Sequence, residues 1–319
     1  MLSNLMLSFR GHCVALVVFF AAIGGDSMAS ANNVTARVSR GVLVVRGDGA
    51  ANHIIVRQNG NGGLVIAGQR GTLVNQRSSF SVARPPAHVE ISLGSGNDSV
   101  RLENMNVRGD LDVYLGSGNN SVVGDTGNSF VGGDFDIYGG NQRDTVNLKN
   151  WTVAGSVDVE LFGGVSSVQL DSVSAGASID VYGGAQADTI LLTSVAALEG
   201  ISVETFGGAD IATIVGGSAN SMEIYAGDGN NQIDVSDVEV GEDVDIITGR
   251  DVDTVVVENV TAERDIEILL GAGNDFLTAI DVTAFVELFI DGGAGSDTRI
   301  DGGLEGFGER VIRGFEARR

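Results

Sequence analysis

Apolar and polar residues alternate through His88-Val89-Glu90-Ile91-Ser92-Leu93, and the same alternation returns at 111–115, 135–138, 157–160, 179–182, 201–204, 222–225, 244–247, 266–269 and 286–289. Measured at the outward polar residue of each copy, the steps are 22, 24, 22, 22, 22, 21, 22, 22 and 20. Alternation with period two predicts half-buried strands. A regular step of this size predicts a solenoid, in which each unit buries its apolar face against its neighbours. After each of these strands comes a Gly-rich turn and a second alternating run. A third short segment then begins after Asn104, Asn128, Asn150, Ser172, Ser194, Asp237, Asn259 or Asp281. These polar residues, mostly 22 apart, are expected to stack as an internal ladder.

Three short strands and three turns per unit predict an all-β fold. The specific expectation is a parallel β-helix of about ten 22-residue coils, right-handed because parallel crossovers are. A leucine-rich repeat has a similar period, but its helical back segment has no counterpart in stretches that are Gly-rich or β-branched. The expected boundaries are a signal peptide at 1–31, a strand-rich capping module at 32–88, the coils at 89–300 and a C-terminal cap at 301–319. In the capping module, 42–45, 54–56 and 64–66 are strands joined by turn-forming residues at 47–52 and 59–63. Pro85-Pro86 marks its end. In the tail, Phe307 and Phe315 are expected to cover the last coil.

The N-terminus reads as an export signal: Arg10 and His12 precede the apolar run 13–23, and Ala29-Ser30-Ala31 fits a small-x-small cleavage rule. A retained anchor is the competing reading, although the run is short for a membrane span. Cleavage near Ala31 removes Cys13, the only cysteine, and leaves a secreted or cell-surface protein without disulfides.

Charge narrows the partners. Against 19 Lys and Arg stand 42 Asp and Glu, a net charge of −23. That argues against nucleic acid and anionic membranes and points to divalent cations and cationic surfaces. The outward positions of the first strand form an acidic column: Glu90, Asp112, Asp136, Asp158, Asp180, Glu223, Asp245, Glu267 and Glu287, interrupted by Ser202. Two residues further on stand Tyr114, Tyr138, Tyr182 and Tyr225, all the tyrosines of the chain. Neighbouring unit charges about 4.8 Å apart repel by about 0.9 kcal/mol in water. Only Arg143, Lys149, Arg250 and Arg264 are candidates to offset them, so the column is expected to attract divalent cations or carry raised pKa values. The competing reading is a solubilising face that prevents sideways aggregation.

The turns at 94–100, 116–122, 227–233 and 271–277 follow Gly-x-Gly-x-[Asp/Asn]-x-apolar, and 292–297 reads Gly-Gly-Ala-Gly-Ser-Asp. They resemble the calcium-binding repeat of RTX (haemolysin-type) proteins, in which turn carbonyls and Asp oxygens enclose the ion. The resemblance implies metal ligands among Asn97, Asp98, Asn119, Asn120, Asp228, Asn230, Asn231, Asp251, Asp253, Asn274, Asp275 and Asp297, with calcium as the ion. Carbonyl and carboxylate oxygens suit that hard cation. The chain departs from the family in its 22-residue period and in the turns near 163–168, 183–188 and 207–212, which lack the second glycine or the acid.

The expected function is therefore that of an exported, non-enzymatic β-helical surface or matrix protein with low-affinity calcium binding. The alternative is a polysaccharide-binding or polysaccharide-degrading protein, with cell-surface glycans as partners. Paired carboxylates serve glycoside hydrolysis, but a ladder supplies such pairs at every rung. His53 and His88 lie outside the repeats, and no long loop interrupts the coils.

Overall fold

A computed structural model describes residues 32–318; the export signal read from the sequence lies outside them. The chain is all-β, a parallel solenoid of about 10 turns at 22-residue spacing. Among the described residues there is no helix, and so none long and apolar enough to cross a membrane. Successive coils build two large sheets of 14 and 16 strands. The front sheet stacks strands such as His88–Ser92, Leu111–Tyr114, Phe135–Tyr138, Val157–Glu160 and Ile179–Tyr182. The back sheet stacks Ser99–Glu103, Asn120–Thr126, Asp144–Val153, Ser167–Ala175 and Thr189–Ala197. Alternate residues of both sheets meet inside, so that Leu111, Val113, Val157, Val159, Ile179 and Val181 are all fully buried.

The back strands bend midway. Asn104, Asn150, Ser172, Ser194, Asp237, Asn259 and Asp281 all have φ between 49° and 58°, and Gly127, Gly216 and Gly303 take the same corner in other coils. The left-handed conformation turns the strand and resets its alternation, and Asn and Asp tolerate it better than other residues with side chains. This corrects the expected internal ladder. Six of the seven polar corner residues are exposed and Asn150 is half-buried, because the bend throws the side chain outward; Asn259 Nδ2 donates to Asp237 Oδ1 there (2.7 Å). In the 24-residue coil the corner passes to Gly127, and Asn128 leaves the column.

That longer coil accommodates its two extra residues at two points, one after Val123 and one between Thr126 and Phe130. The space it opens is filled by Trp151, the only tryptophan, which is 1% exposed and tilted against Phe135 at 4.8 Å. Its Nε1–H donates to the Gly124 carbonyl at 2.7 Å, and a Cβ at Gly124 would lie 2.7 Å from the indole. Trp151→Ala is expected to destabilise the fold by about 3–5 kcal/mol, read as a lower denaturant midpoint. An unchanged midpoint would contradict this packing.

Both ends differ from expectation. The strands Val42–Arg46 and His53–Gln58 pair in parallel with the first front and back strands, so they and the turn at 47–52 form a coil of the solenoid rather than part of a separate capping module. Only Asn33–Ser39, Leu64–Gly68, Leu73–Val74 and Ser79–Val82 lie outside the stacked coils; three of their pairings are antiparallel and Leu73–Val74 pairs in parallel with Asn33–Ser39. The tail is a further coil, in which Thr298–Gly306 and Glu309–Arg313 extend the back and front sheets. Phe315 packs on the core, but Phe307 is 64% exposed and stacks on Phe285 outside.

Candidate functional site

Two arrays of polar side chains run the length of the rod, one inside the turns and one on the front face. The inner array begins at Asn52 and continues through Asp98, Asn120, Asp144, Ser166, Asp188, Asp210, Asn231, Asp253, Asp275 and Asp297, all at most 3% exposed. From Asp98 onward each of them receives one hydrogen bond of fixed sense, whereas Asn52 Oδ1 accepts from Asp48 N in its own turn. The backbone N–H of one coil donates to the side-chain oxygen of the next, as in Asp98 N to Asn120 Oδ1 (2.9 Å), Asp253 N to Asp275 Oδ1 (2.8 Å) and Asp275 N to Asp297 Oδ1 (2.8 Å). Asp297 N donates to Glu316 Oε2 at 2.6 Å, which ends the series. The internal polar ladder therefore exists, but at the end of the Gly-rich turn.

The second polar atom of each residue divides the ladder. Asn120 Nδ2 donates to the carbonyls of Gly118 (3.0 Å) and Gly116 (3.4 Å) in its own turn, and Asn231 Nδ2 to Gly227 (3.1 Å). Ser166 Oγ likewise donates to Gly163 (3.3 Å). Asp144 and Asp188 instead accept from the N–H groups of Gly140 and Gly184, both at 2.6 Å. Asp98, Asp210, Asp253, Asp275 and Asp297 have neither arrangement: their Oδ2 atoms are buried without a hydrogen-bond partner. Beside Asp210 and Asp253 lie the hydroxyls of Thr205 and Thr248, whose protons go to the carbonyls of Ala226 (2.9 Å) and Leu270 (2.7 Å). A buried anionic oxygen without a donor is costly. Burial pushes the carboxyls of Asp98, Asp210 and Asp275 up to about 6, and raises those of Asp253 and Asp297.

The residues implied as metal ligands thus separate into two sets. Asp98, Asn120, Asn231, Asp253, Asp275 and Asp297 belong to the inner ladder. Asn97, Asn119, Asp228, Asn230, Asp251 and Asn274 sit at the exposed apex. There the Oδ1 atoms of Asn97, Asn230 and Asn274 accept from the next coil's backbone N–H at 2.9 Å. Asp228 pairs with Arg250 at 3.4 Å, and Asp251 holds a left-handed φ of 84°. No three His, Cys, Asp or Glu side chains converge among the described residues. A cation in these turns would have to be held by single carboxylate oxygens and backbone carbonyls, a set that fits calcium. Sequence reading missed Asn52, Asp144, Ser166, Asp188, Asp210 and Glu316. The first five stand two residues before the apolar start of the back strand, and that spacing was the available signal.

On the front face Glu90, Asp112, Asp136, Asp158 and Asp180 are direct register partners, followed by Ser202, Glu223, Asp245 and Glu267. Glu287 is a correction. It pairs with Asp265, and Phe289 takes the column position beside Glu267. The buried pair is Leu288 and Ile290, whereas Val286 is 49% exposed, so the last step is 22 and not 20. A flanking row adds Asp110, Asp134, Asp243 and Asp265. Near the C-terminal end Asp243, Asp245, Asp265, Glu267, Glu287 and Phe289 line a shallow depression of about 390 Å³.

Few cations reach this face. Lys149 pairs with Asp171 on the back sheet (2.6 Å) and Arg250 lies in a turn. Arg264 approaches Asp243 (3.4 Å) and Asp265 (3.9 Å), and Arg46, which sequence reading passed over, approaches Glu90 (3.7 Å). Burial, and then neighbouring carboxylates, push Asp112, Asp136 and Asp245 up to about 6. Asp158 is raised further, first by burial and then by its hydrogen bond to Asp180. Of the tyrosines, only Tyr114 and Tyr138 stack on each other (5.0 Å); Tyr182 lies between Glu160 and Glu204. No protein-family model, curated protein or solved structure matches the chain.

Proposed function

We propose that the protein is an exported, non-enzymatic surface or matrix component whose Gly-rich turns bind calcium with low affinity. The observation that supports this is the set of five buried carboxylate oxygens without a donor, at the turn position where Asn120 and Asn231 hold an amide that donates to turn carbonyls. A cation placed there would meet the carboxylate oxygen and the turn carbonyls that the amide N–H groups meet in the Asn coils. The best pair of turns is 271–275 and 293–297. Both have Gly-x-Gly-x-Asp, their Ala272–Gly273 and Ala294–Gly295 segments pair in parallel, and Asp275 and Asp297 each have an orphaned oxygen. The turn at 94–98 is the third candidate.

Calcium that binds the folded state alone stabilises it by about 2.7 kcal/mol at a hundred times its Kd. Millimolar calcium is therefore expected to raise the melting temperature, and chelator to reverse the rise. Magnesium, which demands a tighter octahedral shell, should do less. Superimposable melting curves with calcium and with chelator would remove the proposal.

A further inference from the structure

Three consecutive turns in the middle of the rod break its acidic character. At the step where other coils have left-handed glycines, Gly94, Gly116, Gly227 and Gly271, stand Phe162 (φ 44°) and Phe206 (φ 61°), with Gly184 in the coil between them. A phenylalanine at positive φ is a strained outlier. Both rings are more than half exposed, at 55% and 56%. Around them Val165, Ala185 and Ala209 are exposed too, and the only charged residues in 161–169, 183–188 and 205–210 are the buried Asp188 and Asp210. An uncharged aromatic patch on a chain of net charge −23 has the composition of an interface core.

The spacing defines what fits. Where this protein carries aromatic rings on successive coils, they stack at 5.0 Å (Tyr114–Tyr138) and 5.1 Å (Phe285–Phe307). Phe162 and Phe206 are two coils apart, about 10 Å along the stack. The intervening coil cannot fill the gap, because a Cβ on Gly184 would lie 2.7 Å from the Gly163 Cα. The two exposed rings therefore flank a coil that carries no side chain at their position. Two residues before these positions, on the adjoining front strands, stand Glu160, Tyr182 and Glu204, all half-buried and in register. These are the hydrogen-bonding residues nearest in sequence to the Phe162, Gly184 and Phe206 positions, one on each of the three coils.

We propose that Phe162 and Phe206 grip one pyranose ring of a neutral polysaccharide. A pyranose offers an apolar C–H face to each phenyl ring and hydroxyls at its rim to Glu160, Tyr182 and Glu204. A uronic acid polymer is disfavoured by the two glutamates and the net charge. An aromatic side chain of a partner protein would fill the gap but leave the glutamates without donors.

The test compares the wild type with Phe162→Gly/Phe206→Gly and Phe162→Tyr/Phe206→Tyr. The probes are cellohexaose, chitohexaose and xylohexaose, followed by calorimetry in chelator so that calcium plays no part. The expected result is that one of these binds the wild type and the Tyr variant, while the Gly variant loses tenfold or more in affinity. Because glycine suits the left-handed position, the Gly variant should melt no lower than wild type. Binding of none of the three, or equal binding by the Gly variant, would overturn the proposal. So would self-association of the wild type that the Gly variant abolishes, since the patch would then be occupied by a second copy of the chain.

Discussion

Replacing Asp253, Asp275 and Asp297 together by asparagine is expected to make the protein more stable at pH 8 in the absence of divalent cations. The change follows the chain's own precedent. Asn120 accepts from Asp98 N through Oδ1 and donates through Nδ2 to its turn carbonyls, so an asparagine satisfies both sides of the ladder. Each substitution replaces a buried oxygen that has no donor by an amide that donates to a turn carbonyl, as Asn120 and Asn231 do, and relieves a penalty of about 1–3 kcal/mol. The gain should be read as a higher denaturant midpoint with unchanged slope. At pH 5 it should shrink, because burial raises all three wild-type carboxyls and Asp275, pushed up to about 6, then carries a proton of its own. The variant should also lose most of the calcium effect on its melting temperature, the remainder belonging to the turn at 94–98. A variant less stable than wild type at pH 8 would show that these carboxylates already have partners.

Acidification is the second large effect, and its sign is opposite to ordinary acid denaturation. Asp98, Asp112, Asp136, Asp210, Asp245 and Asp275 are all raised to about 6 in the folded protein. In the unfolded chain Asp titrates near 3.9. Between those values the folded state binds more protons than the unfolded state, so stability falls as pH rises through the window and stays lost above it. Lowering the pH from 8 to 5 should therefore raise the melting temperature by several degrees, where an ordinary set of ion-paired carboxylates would lower it. High salt should reduce the part that comes from the front column, which is solvent-accessible. It should leave the part from the inner ladder. A melting temperature that drops steadily below pH 7 would contradict the assignment.

The architecture was legible because one period governs the whole chain, and a periodic sequence leaves little choice of partner for each strand. Ambiguity arose wherever two registers alternate equally well. The stretch 286–291 is apolar at 286, 288 and 290, so Glu287 and Phe289 both qualified as the outward residue; only the strict step of 22 selects Phe289. The corner residues were misplaced for a different reason. A polar residue every 22 positions signals either a buried ladder or an exposed left-handed bend, and the side chain's direction depends on φ, which composition does not reveal. Half of the true inner ladder was visible through its Gly-x-Gly turns. Asp144, Asp188 and Asp210 were not, because their turns depart from that motif while keeping the spacing to the next buried residue.

Every rung of the inner ladder borrows its acceptor from the coil that follows it in the chain, ending at Glu316. The seam therefore has a direction, like a zip that fastens from the N-terminal coil toward the C-terminal one. A chain delivered N-terminus first would leave each newest coil open until the one behind it arrives, and the final fastening would wait for the last few residues.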